Sequence, residues 1–189
     1  MIGRLFGRVN PREAMIRDLH VRINAAARAP ALYTALGVPD TVEGRFECLS
    51  LHVILVLRRL NRLPDPAGEV AQDLVNAVFL QLDSSLRESG IGDFGVPKRM
   101  KKLGAAFYGR AAGYDAALDA ADPDALARSL ARNVLGVDHA ADAAGLARYV
   151  MASDRALASL DLDALVVAGP RFAAVQPPAG TAEQSGVSR

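Results

Sequence analysis

Val42-Glu43-Gly44-Arg45-Phe46-Glu47-Cys48-Leu49-Ser50-Leu51-His52-Val53-Ile54-Leu55-Val56-Leu57-Arg58-Arg59-Leu60-Asn61-Arg62 is the stretch that decides the fold. Phe46, Leu49, Val53, Leu57 and Leu60 recur at the three- and four-residue spacing of a helix, and Leu51, Ile54 and Leu55 widen that stripe over most of the circumference. A helix apolar on nearly all sides needs neighbours on nearly all sides. It is therefore expected at the centre of a helical bundle. Its apolar run, Leu49–Leu57, is interrupted by Ser50 and His52 and is too short for a bilayer, which needs about 20 apolar residues.

The flanking sequence reads as more helices. Upstream, Asn10-Pro11-Arg12-Glu13 has the order of an N-cap, a first-turn proline and an acidic third position, predicting a helix to about Arg28. Pro30 opens a short helix expected to end at Gly37, and Val38–Thr41 connects to the central helix. Downstream, Leu63-Pro64-Asp65-Pro66 breaks the chain. Val70, Leu74, Val78, Leu82 and Leu86 mark a helix over 68–89, and Pro97 opens a long one to about Ala121. Met100, Leu103, Phe107, Tyr114 and Leu118 give that helix an apolar face. Gly104, Ala105, Ala106, Gly109, Ala111, Ala112 and Gly113 offer little side-chain volume, so a second helix can approach closely. Asp122-Pro123-Asp124 caps the next helix, which ends near Gly136. Another is expected over 140–160, then a short segment, 161–168. The sequence predicts an all-α single domain, a bundle of about seven helices over residues 11–175. An N-terminal arm (1–10) precedes it, and a polar, Pro- and Gly-containing tail (176–189) that cannot bury a core is expected to be disordered.

Composition narrows the function. Of 189 residues, 51% are hydrophobic and 23% charged, which fits a folded domain and excludes global disorder. A single cysteine, Cys48, excludes an intramolecular disulfide and a cysteine-based zinc site. The net charge of +1 excludes nucleic-acid binding through bulk charge, so DNA is not an expected partner. The start of the chain lacks the apolar core of a secretory signal, and a cytoplasmic protein is expected. Ile2, Leu5, Phe6 and Val9 with Arg4 and Arg8 leave a peripheral membrane contact open; otherwise the arm folds back on the bundle.

No catalytic constellation stands out, and a non-enzyme with no cofactor and no metal is expected. His20, His52 and His139 fall on separate segments with no metal-type pair spacing. His52, in the most apolar helix, has two readings: a haem or proton-handling ligand, or a hydrogen-bonded histidine that fixes packing. The second is favoured. Cys48, one turn earlier, would need an exposed electropositive pocket to act as a nucleophile with it. The clearest charge feature is Lys98-Arg99-Met100-Lys101-Lys102 at a helix start, where cations oppose the helix dipole. It reads either as a patch for RNA, lipid headgroups or an acidic partner, or as a solvated face balanced by Asp93 and Glu88. Residues 1–114 carry a net charge of +5 and residues 115–189 one of −4, an asymmetry that steers encounter. Arg58, Arg59 and Arg62 end the central helix, where cations complement the dipole, and need no function there. Asp83 and Arg87, four apart, can pair.

Several phrases together resemble the ubiquinol–cytochrome c chaperone family, assembly factors of the cytochrome bc complex (respiratory complex III). They are Pro30-Ala31-Leu32-Tyr33, the run Leu36–Glu47, the run Leu51–Leu60, Phe79–Asp83, Leu86-Arg87-Glu88-Ser89-Gly90-Ile91-Gly92-Asp93, Val96–Lys102, Phe107-Tyr108-Gly109-Arg110, Tyr114-Asp115 and Leu130–Val134. The resemblance spans about residues 30–150; Ser89 stands where the family often has Met. It implies a helical chaperone that binds newly made cytochrome b and supports assembly of the complex, with cytochrome b and other bc-complex subunits as partners. The high Ala and Arg content matches the bacterial branch, which would work on the cytoplasmic face of the inner membrane. A ribosome or an anionic membrane surface is a further partner the resemblance allows. Under this reading Asp93, Lys98, Arg99, Lys101, Lys102, Tyr108 and Arg110 form the expected partner-binding surface, and the small residues of the same helix admit a client helix. A haem- or quinone-binding protein centred on His52 and an RNA-contacting helical module are the alternatives. The oligomeric state is left open.

Overall fold

The computed structural model describes residues 10–88 and 95–175. Seven α-helices make the body: α1 (Pro11–Ala27), α2 (Pro30–Thr34), α3 (Val42–Leu60), α4 (Ala67–Glu88), α5 (Gly95–Asp119), α6 (Pro123–Leu130) and α7 (Ala144–Ala158). A π turn (Ala131–Leu135) extends α6, a 3-10 turn (Ala140–Ala143) leads into α7, and a second π turn (Ala164–Ala168) follows it. No strand occurs among the described residues. The expected arm lies outside them except for Asn10, and so do the expected tail and Asp93.

The central helix is where its sequence puts it. Leu51, His52, Val53, Ile54, Leu55 and Val56 are consecutive and all buried. α1, α4, α5, α7 and the first π turn all pack against α3. Thr41 caps it, its hydroxyl accepting from the Gly44 N–H at 3.0 Å. That position must be glycine: a Cβ on Gly44 would lie 2.0 Å from the Pro39 carbonyl oxygen. The Asn10 side chain caps α1 and Asp122 caps α6, each accepting from backbone N–H groups of the following turn.

The elements differ from the sequence expectation mainly at their ends. α5 starts at Gly95 rather than at Pro97. Pro97 sits in the first turn, where backbone N–H groups have no helical acceptor and its missing donor costs nothing. The helix expected over 140–160 begins instead as a 3-10 turn, which presses the fully buried Ala143 against α6. α6 widens into a π turn before Gly136, whose φ of +68° lets Val137 N–H close the end on the Ala131 carbonyl at 3.0 Å. The short helix α2 stops at Thr34, three residues before Gly37. Among the described residues, no helix is long and apolar enough to cross a membrane.

Candidate functional site

Two polar centres hang on α3. The first is His52, fully buried. Its Nδ1 lies 2.7 Å from the Cys48 carbonyl, an acceptor, so Nδ1 carries the proton. Its Nε2 then accepts from the Tyr149 hydroxyl at 2.7 Å. Phe172 packs edge-on against the imidazole, 4.7 Å between centroids. Ser153, also fully buried, accepts from the Ala173 N–H at 3.0 Å and so ties the residues after the last π turn to α7. Burial lowers the His52 pKa to about 4 and raises the Cys48 thiol to about 12. Both ring nitrogens are committed, so in this arrangement neither is free for a haem iron or a quinone. The buried, protonated Cys48 likewise lacks what a nucleophile needs. His52 is a packing histidine.

The second centre is Arg58, which sequence reasoning put down to the helix dipole. Its guanidinium is buried and reaches three carboxylates: Asp115 at 2.9 Å and Asp119 at 2.6 Å on α5, and Asp154 at 2.9 Å on α7. Arg62 also pairs with Asp119, and Arg59 donates to the Leu160 carbonyl at 2.7 Å. The signal was available: Arg58 lies three and four residues from Leu55 and Ile54, inside the buried surface, where a cation must find partners.

α5 carries most of the expected partner-binding residues, but on two sides. Lys98, Lys101 and Lys102 are exposed, and Tyr108 is 57% exposed. Ala105, Gly109, Ala112, Gly113 and Ala116 continue the exposed surface at helical spacing. A Cβ on Gly109 or Gly113 would meet nothing within 4 Å. These five small residues therefore face outward and do not seat a helix of the bundle itself, whereas Gly104, Ala106 and Ala111 of the expected small face are part-buried, Gly104 beside Phe79, Ala106 in a groove that α5 lines with α3 and α4, and Ala111 against the core. Tyr108 stacks on Phe79 of α4 with centroids 6.5 Å apart, while Phe107 is buried.

Arg99 and Arg110 do not belong to that outer face. They line a groove of about 630 Å³ between α1, α3, α4 and α5. Arg110 is mostly buried and pairs with Glu47 of α3 at 2.7 Å. Burial pushes the Glu47 carboxyl above its ordinary range, and Arg110 opposes that shift. Asp83 and Arg87 pair at 2.7 Å on α4 as their spacing predicts. Among the described residues, no three His, Cys, Asp or Glu side chains gather as a metal site.

The match to known proteins follows this architecture. The family model described as ubiquinol-cytochrome C chaperone matches residues 34–172, from the end of α2 to the segment that packs on His52. Among solved structures, the Cbp3 homolog from Brucella abortus is similar over 87% of this chain and 91% of its own length. It shares 41% sequence identity, with a TM-score of 0.78. A comparison with curated proteins found no match. By the extent of the family match and the identity to this relative, the chain belongs to the ubiquinol–cytochrome c chaperone family.

Proposed function

We propose that this protein is a non-enzymatic assembly chaperone of the cytochrome bc complex whose client is newly made cytochrome b, and that it works on the cytoplasmic face of a bacterial inner membrane. The observation that carries the reading is the family match across residues 34–172, which takes in every helix from α3 to α7. The geometry supports it through the outer face of α5. Lysines 98, 101 and 102 draw an acidic loop or an anionic headgroup. Beyond them Ala105, Gly109, Ala112 and Gly113 let a client helix come close, and Tyr108 flanks the contact with an exposed ring of the kind enriched in interfaces. Asp93, the acidic member of the expected surface, lies outside the described residues.

The test is deletion in the native host, with assembled bc complex and free cytochrome b quantified in the membranes. Loss of the complex, with other membrane proteins at normal levels, is the expected result. Replacing Lys98, Lys101 and Lys102 together by Glu in the restored gene separates the surface from the fold. All three are exposed, so the melting temperature is expected to hold while the complex falls. Normal complex in the deletion strain would refute the chaperone function; normal complex in the triple variant would refute this face.

A further inference from the structure

The groove between α1, α3, α4 and α5 has the composition of a binding site. His20 Nε2, Glu47 Oε2 and Arg110 Nε are buried side-chain atoms with no hydrogen-bond partner among the described residues, and all three residues line it. His20 is only 8% exposed. Unpartnered buried polar atoms are uncommon in native proteins, and the unpartnered donor among these, Arg110 Nε–H, calls for an occupant that supplies an acceptor. The rest of the lining says what that occupant is. Phe46, Leu49, Val78, Leu82 and Leu103 make an apolar wall, and four arginines (28, 45, 99 and 110) and two glutamates (43 and 47) line the rest. Arg45 pairs with Asp40 at 2.6 Å and Arg110 with Glu47 at 2.7 Å, which leaves Arg28 and Arg99 against Glu43 and a net positive groove. The cavity, about 630 Å³, falls in the range of small-molecule sites, roughly 300–1,000 Å³.

We propose that this groove binds a single-chain anionic amphiphile, a long-chain carboxylate. Its hydrocarbon lies along Phe46, Leu49, Val78, Leu82 and Leu103, and its head accepts from the unpartnered Arg110 Nε–H with Arg99 at the open side. His20 closes the α1 wall as a neutral imidazole, since burial lowers its pKa. The site goes beyond the assembly role and does not depend on it: it lies on the groove side of α5, not on the outer face.

Titration of the full chain with oleate below its micellar concentration, followed by calorimetry and native mass spectrometry, tests this. One oleate per chain is expected, with oleyl alcohol about tenfold weaker, the worth of one charge-assisted hydrogen bond. Ala106→Phe places a ring in the groove and is expected to abolish binding at an unchanged melting temperature. Arg99→Gln, at an exposed position, is expected to weaken oleate by about tenfold and keeps the test decisive if the filled variant fails to fold. Absence of oleate binding to the folded wild type would overturn the proposal. So would equal affinity for the alcohol, binding unchanged in Arg99→Gln or persisting in a folded Ala106→Phe, or capture of an acidic amphipathic peptide in place of oleate.

Discussion

The two halves of α3 solve the same problem in different ways. Around its second half, the polar groups buried with the core are matched: His52 by Cys48 and Tyr149, Arg58 by three carboxylates from two other helices. Around its first half they are not. Glu47 and Arg110 satisfy each other only in part, His20 Nε2 has no partner among the described residues, and Val42 stands 81% exposed at the helix start. Buried polar groups cost free energy unless paired, so a fold left to stability alone would close the first half as it closed the second. The matched half specifies how α5 and α7 dock; the two proposals rest on the unmatched half and on the outer face of α5.

The largest expected effect comes from breaking the matched half. Arg58→Ala removes the one guanidinium that α5 and α7 share through α3. It leaves Asp154, largely buried, and Asp115 and Asp119, more exposed, crowded without a counter-ion. A loss of about 3 kcal/mol is expected, short of the upper range for breaking a buried pair because two of the carboxylates reach water. Chemical denaturation checks it. A loss under about 0.5 kcal/mol, as for an exposed pair, would mean the hub is no more than surface charge and would erase the contrast.

Acid should probe the same half at His52. The folded protein holds the imidazole neutral, with its pKa lowered to about 4, while the unfolded chain takes up a proton below about 6.5. The unfolded state thus binds more protons between those values, and stability falls as pH drops through that window. His52 is expected to contribute on the order of 2 kcal/mol of loss between pH 6.5 and 5. His20, shifted in the same direction, adds to it. Glu47, shifted up by burial, works the other way. Subtracting the pH profile of His52→Gln isolates the histidine; coincident slopes would show that it titrates in the folded state as it does in the unfolded chain.

How far these regions could be read from sequence follows from the range of the forces. The periodicity of Phe46 to Leu60 is local and strong, and it placed α3 at the centre. Proline and the Asp122 cap act within a turn, and they placed the helix starts to within two or three residues. The widening of α6 into a π turn and the tight entry to α7 depend on how Ala131 and Ala143 pack against distant helices, and no local signal announces them. Among site residues, the cluster 98–102 is contiguous and was legible as charge. That Arg99 leaves it for the groove, and that Arg110 turns inward to Glu47, are consequences of a 63-residue separation closed only by the fold. The hydrogen bonding of His52 is legible because its apolar surroundings alone demand satisfied nitrogens, and both are satisfied in the fold. Arg58 was under-read: its dipole-compatible position near a helix end concealed that it also lies on a buried face.

The smallest expected effect sharpens the other side of the contrast. If the small residues of α5 seated a helix of the bundle itself, Gly109→Leu would overpack that contact and cost about 1–3 kcal/mol. In the structure Gly109 is exposed with nothing near its would-be Cβ, so leucine gains helix propensity instead. Stability is expected to rise by roughly 0.5–1 kcal/mol, with a slightly higher melting temperature. The same substitution is expected to lower the level of assembled bc complex in the native host, because a branched side chain keeps an incoming helix from approaching the backbone at Gly109. The two readouts should therefore move in opposite directions. A melting temperature that falls would place an intramolecular helix on this face. One that rises with normal assembly would show that the small residues are not where the client rests, leaving the lysines and Tyr108 to carry the contact.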